Sequence, residues 1–223
     1  MPLARWQDLC FDATDSAVAA RFWSQTLDLA VEVRGDDVTC LSGEPPERTV
    51  WVNRVPEPKT AKNRVHLDLV GSDVDALVAA GATVLHEPSP GWEWHLLQDP
   101  EGNEFCVFAP EPGEPTALVA DAVDQEALAA WWADVLGATL SPGPEGIKRW
   151  LRDVPGLPYD VWKFVEVPEP KTVKNRWHWD VVCDDIDALV AKGATLLREP
   201  DDDIHWHILV DPEGNDFCAF SSD

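Results

Sequence analysis

The sequence predicts an α+β protein made by tandem duplication, and three observations carry that prediction. The stretch VPEPKTAKNRVHLDLV beginning at Val55 returns as VPEPKTVKNRWHWDVV beginning at Val167, 112 residues later, with 12 of 16 positions identical. The same offset carries residues 73–88 onto 185–200 and residues 95–108 onto 207–220, without insertion or deletion. A repeat this long is a duplicated domain rather than a solenoid unit of roughly 20–50 residues. Within each copy the apolar pattern alternates between a period of two and a helical period, giving the order β-α-β-β-β twice. The expected domains are residues 1–110 and 111–223, each long enough for its own core.

Taken in order, residues 6–13 (WQDLCFDA) alternate, with Leu9 and Phe11 on one face and Asp8, Cys10 and Asp12 on the other. That is a strand with one face on the core. Asp15 then caps a helix, SAVAARFWSQTL, whose Val18, Phe22 and Trp23 form a stripe. AVEVR, DVTCL and TVWVNRV are three further strands, separated by Gly35-Asp36 and by Gly-Glu-Pro-Pro. In VPEPKTAKN the two prolines remove backbone donors, so this is a crossover loop. RVHLDLV is a strand, and Asp73 caps a short helix that stops at Gly81. ATVLHE, WEWHLLQ and NEFCVFA complete the half, the last two joined by the hairpin Asp99-Pro100-Glu101-Gly102-Asn103. PEPGEP, residues 110–115, is the expected linker. The second half repeats the plan, with Asp124 capping a helix that carries Trp131 and Trp132.

The charge balance narrows the function. Against 17 Lys and Arg stand 41 Asp and Glu, a formal net charge of −24, which disfavours nucleic acid and anionic membranes as partners. A neutral or cationic small ligand is easier to accept. No run of 18 apolar residues offers a membrane span. The acidic N-terminal stretch argues against export, and five cysteines without a C-x-x-C fit a reduced, cytoplasmic chain.

Two motifs occur twice: K-N-R-x-H-x-D at residues 62–68 and 174–180, and DPEGN-E/D-F-C at 99–106 and 211–218. With the βαβββ order and the capped Phe-Trp helix, they make the chain resemble the vicinal oxygen chelate superfamily, in its glyoxalase-like branch, which includes bleomycin-resistance and dioxygenase relatives. The resemblance implies that two βαβββ modules form a cupped mixed sheet with helices on the outer face. Functions on that fold range from lyases and dioxygenases to ligand sequestration.

The resemblance also implies where an ion would be held. Its ligand positions fall on Asp8, Asn53, His66 and Cys106 in the first half, and on Ala117, Val165, His178 and Cys218 in the second. Alanine and valine donate nothing, so the expected cofactor is none. The alternative is one divalent metal in the first domain, through Asp8, His66 and Cys106. His66 and Asp68 share a strand face, as do His178 and Asp180. His66 and Asp68 are the candidate acid–base pair, although no nucleophile accompanies them.

Trp51 shares a face with Asn53 and should look into a cup, while Trp92, Trp94 and Trp206 belong near a rim. The expected ligand-binding residues are therefore Asp8, Trp51, Asn53, His66, Asp68, Cys106, His178, Asp180 and Cys218. Aromatic walls with few polar groups suit a small organic molecule, as in antibiotic or toxic-metabolite sequestration. The basic loops holding Lys59, Lys62, Arg64, Lys171, Lys174 and Arg176 are expected to pair locally with Glu57, Glu169 and the acidic body. Four modules in one chain suffice for a monomer, and a homodimer is the alternative. The pattern does not specify which modules share a cup.

Overall fold

The computed structural model describes residues 1–34, 38–111, 116–143, 146 and 149–222. Most of the expected linker, and the Gly35-Asp36 turn, lie outside the described residues. Module 1 comprises β1 (Arg5–Ala13), α1 (Ser16–Leu27), β2 (Ala30–Val33), β3 (Val38–Ser42) and β4 (Val50–Arg54). Module 2 comprises β5 (Val65–Val70), α2 (Val74–Ala79), β6 (Thr83–His86), β7 (His95–Gln98) and β8 (Glu104–Phe108). Module 3 comprises β9 (Ala117–Ala122), α3 (Gln125–Leu136), β10 (Thr139–Pro142), β11 (Arg149–Arg152) and β12 (Val161–Glu166). Module 4 comprises β13 (Trp177–Val182), α4 (Ile186–Ala191), β14 (Thr195–Arg198), β15 (His207–Val210) and β16 (Asp216–Phe220).

Each helix starts where an aspartate can satisfy a free backbone donor. Asp15 accepts from the Val18 amide at 3.0 Å, Asp73 from Ala76 at 3.2 Å, Asp124 from Ala127 at 3.0 Å and Asp185 from Ala188 at 2.9 Å. Gly81 follows α2 with φ 116°, a conformation that a side chain would strain. Two details differ from the sequence pattern. The pairing of β1 shifts register between Trp6 and Leu9, and this bulge turns Trp6 onto the same buried side as Leu9 and Phe11. The strand expected from Trp92 begins only at His95, because the Ser89 and Trp92 amides and carbonyls pair with each other.

The α+β class, the duplication and the two eight-stranded mixed sheets are as expected. The sheets run β14-β15-β16-β13-β1-β4-β3-β2 and β10-β11-β12-β9-β5-β8-β7-β6. Module 1 therefore shares a sheet with module 4, and module 2 with module 3, so each sheet draws one module from each half. The joints are antiparallel: β1 against β13, with Cys10 opposite His178, and β5 against β9, with His66 opposite Val119.

The repeated motifs hold these joints. The Asp12 amide donates to the Arg176 carbonyl at 2.8 Å, and the Asp121 amide to the Arg64 carbonyl at 2.7 Å. Lys174 bonds the Asp12 carboxylate at 2.5 Å, and Lys62 bonds Asp121. Arg64 reaches the Glu169 carbonyl at 2.6 Å, and Arg176 reaches the Glu57 carbonyl at 2.8 Å. Lys62, Arg64, Lys174 and Arg176 thus clasp the opposite half, while Lys59 and Lys171 pair locally with Glu104 and Asp216, as expected.

Within a half, the two motifs form one hydrogen-bonded unit. Asn63 donates to Asn103 at 3.1 Å and Lys59 to Glu104 at 2.8 Å, while Asp99 accepts from Asn103, Glu101 and the Trp23 indole. Asn175, Asn215, Asp211 and Trp132 repeat this arrangement. The core-facing sides of both sheets meet in a single core. Trp162 packs on Trp6, Trp132 and Trp179 at centroid distances of 5.8, 5.2 and 4.7 Å, and Trp23 packs on Phe105 and Trp177 at 5.3 and 4.9 Å.

A half in isolation would leave both β1 and β5 with an unpaired edge and would expose this aromatic surface. Residues 1–110 expressed alone should therefore self-associate or fail to fold, and co-expression with 111–223 should restore a one-to-one complex by light scattering. A monomeric, cooperatively folded half would contradict the pairing.

Candidate functional site

Each sheet has a second face, formed by alternate residues of its central strands, that looks away from the shared core. On the first sheet this cup carries Asp8, Cys10 and Asp12 of β1, Trp51 and Asn53 of β4, His178 and Asp180 of β13, and Cys218 of β16. On the second it carries His66 and Asp68 of β5, Cys106 of β8, Ala117, Val119 and Asp121 of β9, and Lys163 and Val165 of β12. The nine residues expected to bind ligand are thus divided. Asp8, Trp51, Asn53, His178, Asp180 and Cys218 share the first cup, and His66, Asp68 and Cys106 the second. A metal held by Asp8, His66 and Cys106 together is not possible, because Asp8 stands on the other sheet.

The second cup is built around a buried ion pair. The Lys163 ammonium lies 2.8 Å from Asp68 Oδ2, and His66 Nε2 lies 3.4 Å from Asp68 Oδ1. Burial pushes the Asp68 carboxyl up, but His66 and Lys163 outweigh it and hold the group below the usual carboxylate range. Burial likewise pushes the His66 imidazole down, yet its hydrogen bonds to Asp68 and Cys106 prevail and raise it to about 10. Lys163 also lies 5.1 Å from the Phe108 ring centroid and 5.3 Å from that of Trp150. An aromatic ladder continues outward: Phe108 stacks on Trp94 at 5.3 Å, Trp94 on Trp92 at 4.8 Å, and Trp92 lies 4.6 Å from His86. Ala117, Val119, Trp150 and Val161 form a separate apolar cluster beside it.

The first cup has a different balance. Cys10 donates to Asp180 Oδ2 at 3.2 Å, and the Trp51 indole donates to Asp8 Oδ2 at 2.9 Å. Burial raises the Asp180 carboxyl to about 7 and raises Asp8. It pushes the Cys10 and Cys218 thiols up, which neighbouring Asp180 reinforces, and it holds His178 below the ordinary histidine value. Among the described residues, His178 Nδ1 and Asp180 Oδ1 are buried without a hydrogen-bond partner. Asn53 is half-buried on the same face.

A cleft of about 300 Å³ lies elsewhere, between the two crossover loops. Its lysines are already matched to acids, Lys59 to Glu104, Lys62 to Asp121, Lys171 to Asp216 and Lys174 to Asp12. It is the seam of the clasp, and the polar chemistry is in the cups.

Four βαβββ modules paired into two cupped sheets define the class of protein. The glyoxalase-like domain model matches residues 8–108 and again 117–220, and the chain belongs to that family. Among solved structures it is similar to glyoxalase I from Zea mays, at 17% identity and TM-score 0.71, covering 98% of this chain and 92% of that one. It is also similar to a putative dioxygenase from Bacillus subtilis, at 10% identity and TM-score 0.62, covering 99% and 86%. A third similar structure is the cppA protein of Streptococcus pneumoniae, at 10% identity and TM-score 0.53, covering 98% and 100%. At these identities the likeness is one of fold. No curated protein matches the sequence.

Two residues of the cups were overlooked in the sequence pattern. Lys163 stands in VWKFV, a charged residue on the face shared by Val161 and Val165, and a lysine within an apolar strand is itself a signal. Cys10 falls between Asp8 and Asp12 on a polar face, yet reads as an inert thiol when taken alone.

The His66 shift gives a direct check. Its folded value lies above the ordinary one, so the stability it contributes is complete below about pH 6.5 and is lost as pH rises through about 10. The ring-proton NMR signal of His66 should stay at its imidazolium position at pH 8, and His66→Gln should flatten the alkaline fall in stability. A signal that titrates near pH 6.5 would contradict the arrangement.

Proposed function

We propose that the protein binds a small planar organic anion in the second cup, with no metal ion there, and holds it without turnover, as in antibiotic or toxic-metabolite sequestration. The observation that carries this reading is the buried Lys163–Asp68 pair. The ammonium occupies the centre of the cup, and Ala117 and Val165 offer no donor where an ion would need one. With His66 held as imidazolium, His66 and Lys163 stand as two cations against the Asp68 carboxylate, while the cup's other carboxylate, Asp121, is paired with Lys62. This local excess opposes the acidic character of the whole chain and favours an anion. The Phe108–Trp94–Trp92 ladder supplies a flat apolar wall for the rest of the ligand.

An imidazole raised to about 10 is already protonated at neutral pH, so His66 is a hydrogen-bond donor to ligand rather than a general base. The second reading, a metal-dependent lyase or dioxygenase, draws on the likeness to maize glyoxalase I and the B. subtilis protein. Its donors would have to come from the first cup. All four modules lie in one chain, so a monomer completes both cups, and free buried cysteines suit a reducing cytoplasm.

Tryptophan fluorescence tests the binding reading with matched probes, aromatic carboxylates against aromatic amines of the same size. The carboxylates should quench saturably. The double substitution Asp68→Asn with Lys163→Met, which removes the cation and its partner together, should weaken them about 10- to 100-fold. Equal binding of the amines, or no response to any carboxylate, would contradict the proposal.

A further inference from the structure

We infer that Lys163 is a covalent capture site, whose amine condenses with an aromatic aldehyde that carries a carboxylate and holds it as a protonated imine, a step that rests on the second cup being the ligand site. Lys163 is 2% exposed, and no other lysine among the described residues is as deeply buried. Stability alone is a weak reason for such a residue, because a buried ion pair is often no better than apolar side chains of similar volume. A desolvated lysine is, however, the usual nucleophile toward a carbonyl carbon. At the corresponding place the first cup has Trp51, which offers no amine.

Three strands in register set the geometry. Lys163 of β12 and His66 of β5 both stand opposite Val119 of β9, one on each side of it. Asp68 joins them, with Oδ2 2.8 Å from Lys163 Nζ and Oδ1 3.4 Å from His66 Nε2. Side-chain exposure rises along this row, from 2% at Lys163 through 7% at Asp68 to 15% at His66. A ligand therefore enters from the His66 side, with its aldehyde toward the amine and its carboxylate left beside the imidazolium. The Phe108 and Trp150 ring centroids, 5.1 and 5.3 Å from Nζ, flank the place where the imine forms. They suit a flat conjugated aldehyde and keep away the water that would hydrolyse the product.

The step balances within the cup. Asp68 takes one proton from the Lys163 ammonium, and the nitrogen lone pair forms the C–N bond while the carbonyl π pair moves onto oxygen. Asp68 returns the proton to that oxygen, giving a carbinolamine. It then carries a second proton from nitrogen to the hydroxyl group, the C–O bond breaks, and water leaves. Ammonium plus aldehyde has become iminium plus water, with no net proton released. The positive charge remains beside Asp68, so the buried ion pair survives the reaction. Hydrolysis reverses each step and returns the aldehyde unchanged, which is capture without turnover. Cys106, opposite Asp68 on β8, can add to the same carbonyl, but a thiohemiacetal is not reduced by cyanoborohydride.

The test treats the full chain with para-formylbenzoate and sodium cyanoborohydride, whose hydride reduces an iminium to a stable secondary amine. The expected result is a single adduct, heavier by the probe less one oxygen atom and located on Lys163 by peptide mapping. It should form at least about 10-fold faster than on any other lysine, because the cup holds the aldehyde against the amine. Lys163→Arg, which keeps the cation and removes the amine, should lose the adduct. The matched alcohol, para-(hydroxymethyl)benzoate, should quench tryptophan fluorescence in the native chain without labelling it. No adduct on Lys163, or one formed no faster than on the half-exposed Lys62 and Lys174, would overturn the capture site, and the mapping needs only the native chain. Quenching by the alcohol with no adduct from the aldehyde would overturn capture and leave the anion reading standing. A rapid Lys163 adduct with no quenching by the alcohol would support capture and contradict the anion reading.

Discussion

Everything else in this molecule depends on the antiparallel pairing of β1 with β13 and of β5 with β9. These are the only joints at which a module of the first half meets a module of the second within a sheet, among the described strands. They determine which side chains share a cup, and they bring the two faces that carry Trp6, Trp162, Trp177 and Trp179 together into one core. The clasp explains why the KNR and DPEGN motifs appear twice with so little change. Each loop supplies a carbonyl and an ammonium to the first strand of the opposite half, while its asparagine is anchored on its own hairpin. A change in either motif would disturb both a local turn and a distant joint.

On that shared scaffold a few substitutions give the cups opposite characters. Asp8 corresponds to Ala117, Cys10 to Val119, Trp51 to Lys163 and Asn53 to Val165, as counted from the capping aspartates and the strand registers. The first cup collects carboxyl and thiol groups and, among the described residues, has no ammonium at its centre. The second loses those donors and gains a buried lysine. Desolvation strengthens the consequence, because charges placed in a dry cup interact far more strongly than on the surface. His66 and His178, which hold the same place in the repeated motif, are therefore driven in opposite directions, one up by its acidic partner and the other down by burial.

Much of this was legible in the residues. The capped helices, the Gly81 stop and the hairpin turns depend on local chemistry, and local chemistry is what a sequence displays directly. The buried faces of β5 and β13 were legible from alternation, with Trp177 and Trp179 inside and His178 and Asp180 on the cup side. Two kinds of information were not. Alternation reports which face a residue occupies but not which strand lies alongside, so β1 could as well have met β5 as β13. The buried side of Trp6 was not legible for a related reason, since a bulge changes the face of every residue before it without leaving a mark in composition. Lys163 was visible, but its role depended on Asp68, 95 positions away in the chain.

The cross-half pairing is most directly tested by a double-mutant cycle on Asp68 and Lys163, with stability measured by denaturant unfolding. Removing either partner alone should cost about 3–5 kcal/mol, because a buried ion pair is broken and the remaining charge loses a close counterion. The double substitution Asp68→Asn with Lys163→Met should cost less than the sum by a coupling energy of about 1–3 kcal/mol. Additive effects, within about 0.5 kcal/mol, would mean that the two residues do not meet, and would contradict the pairing of module 2 with module 3.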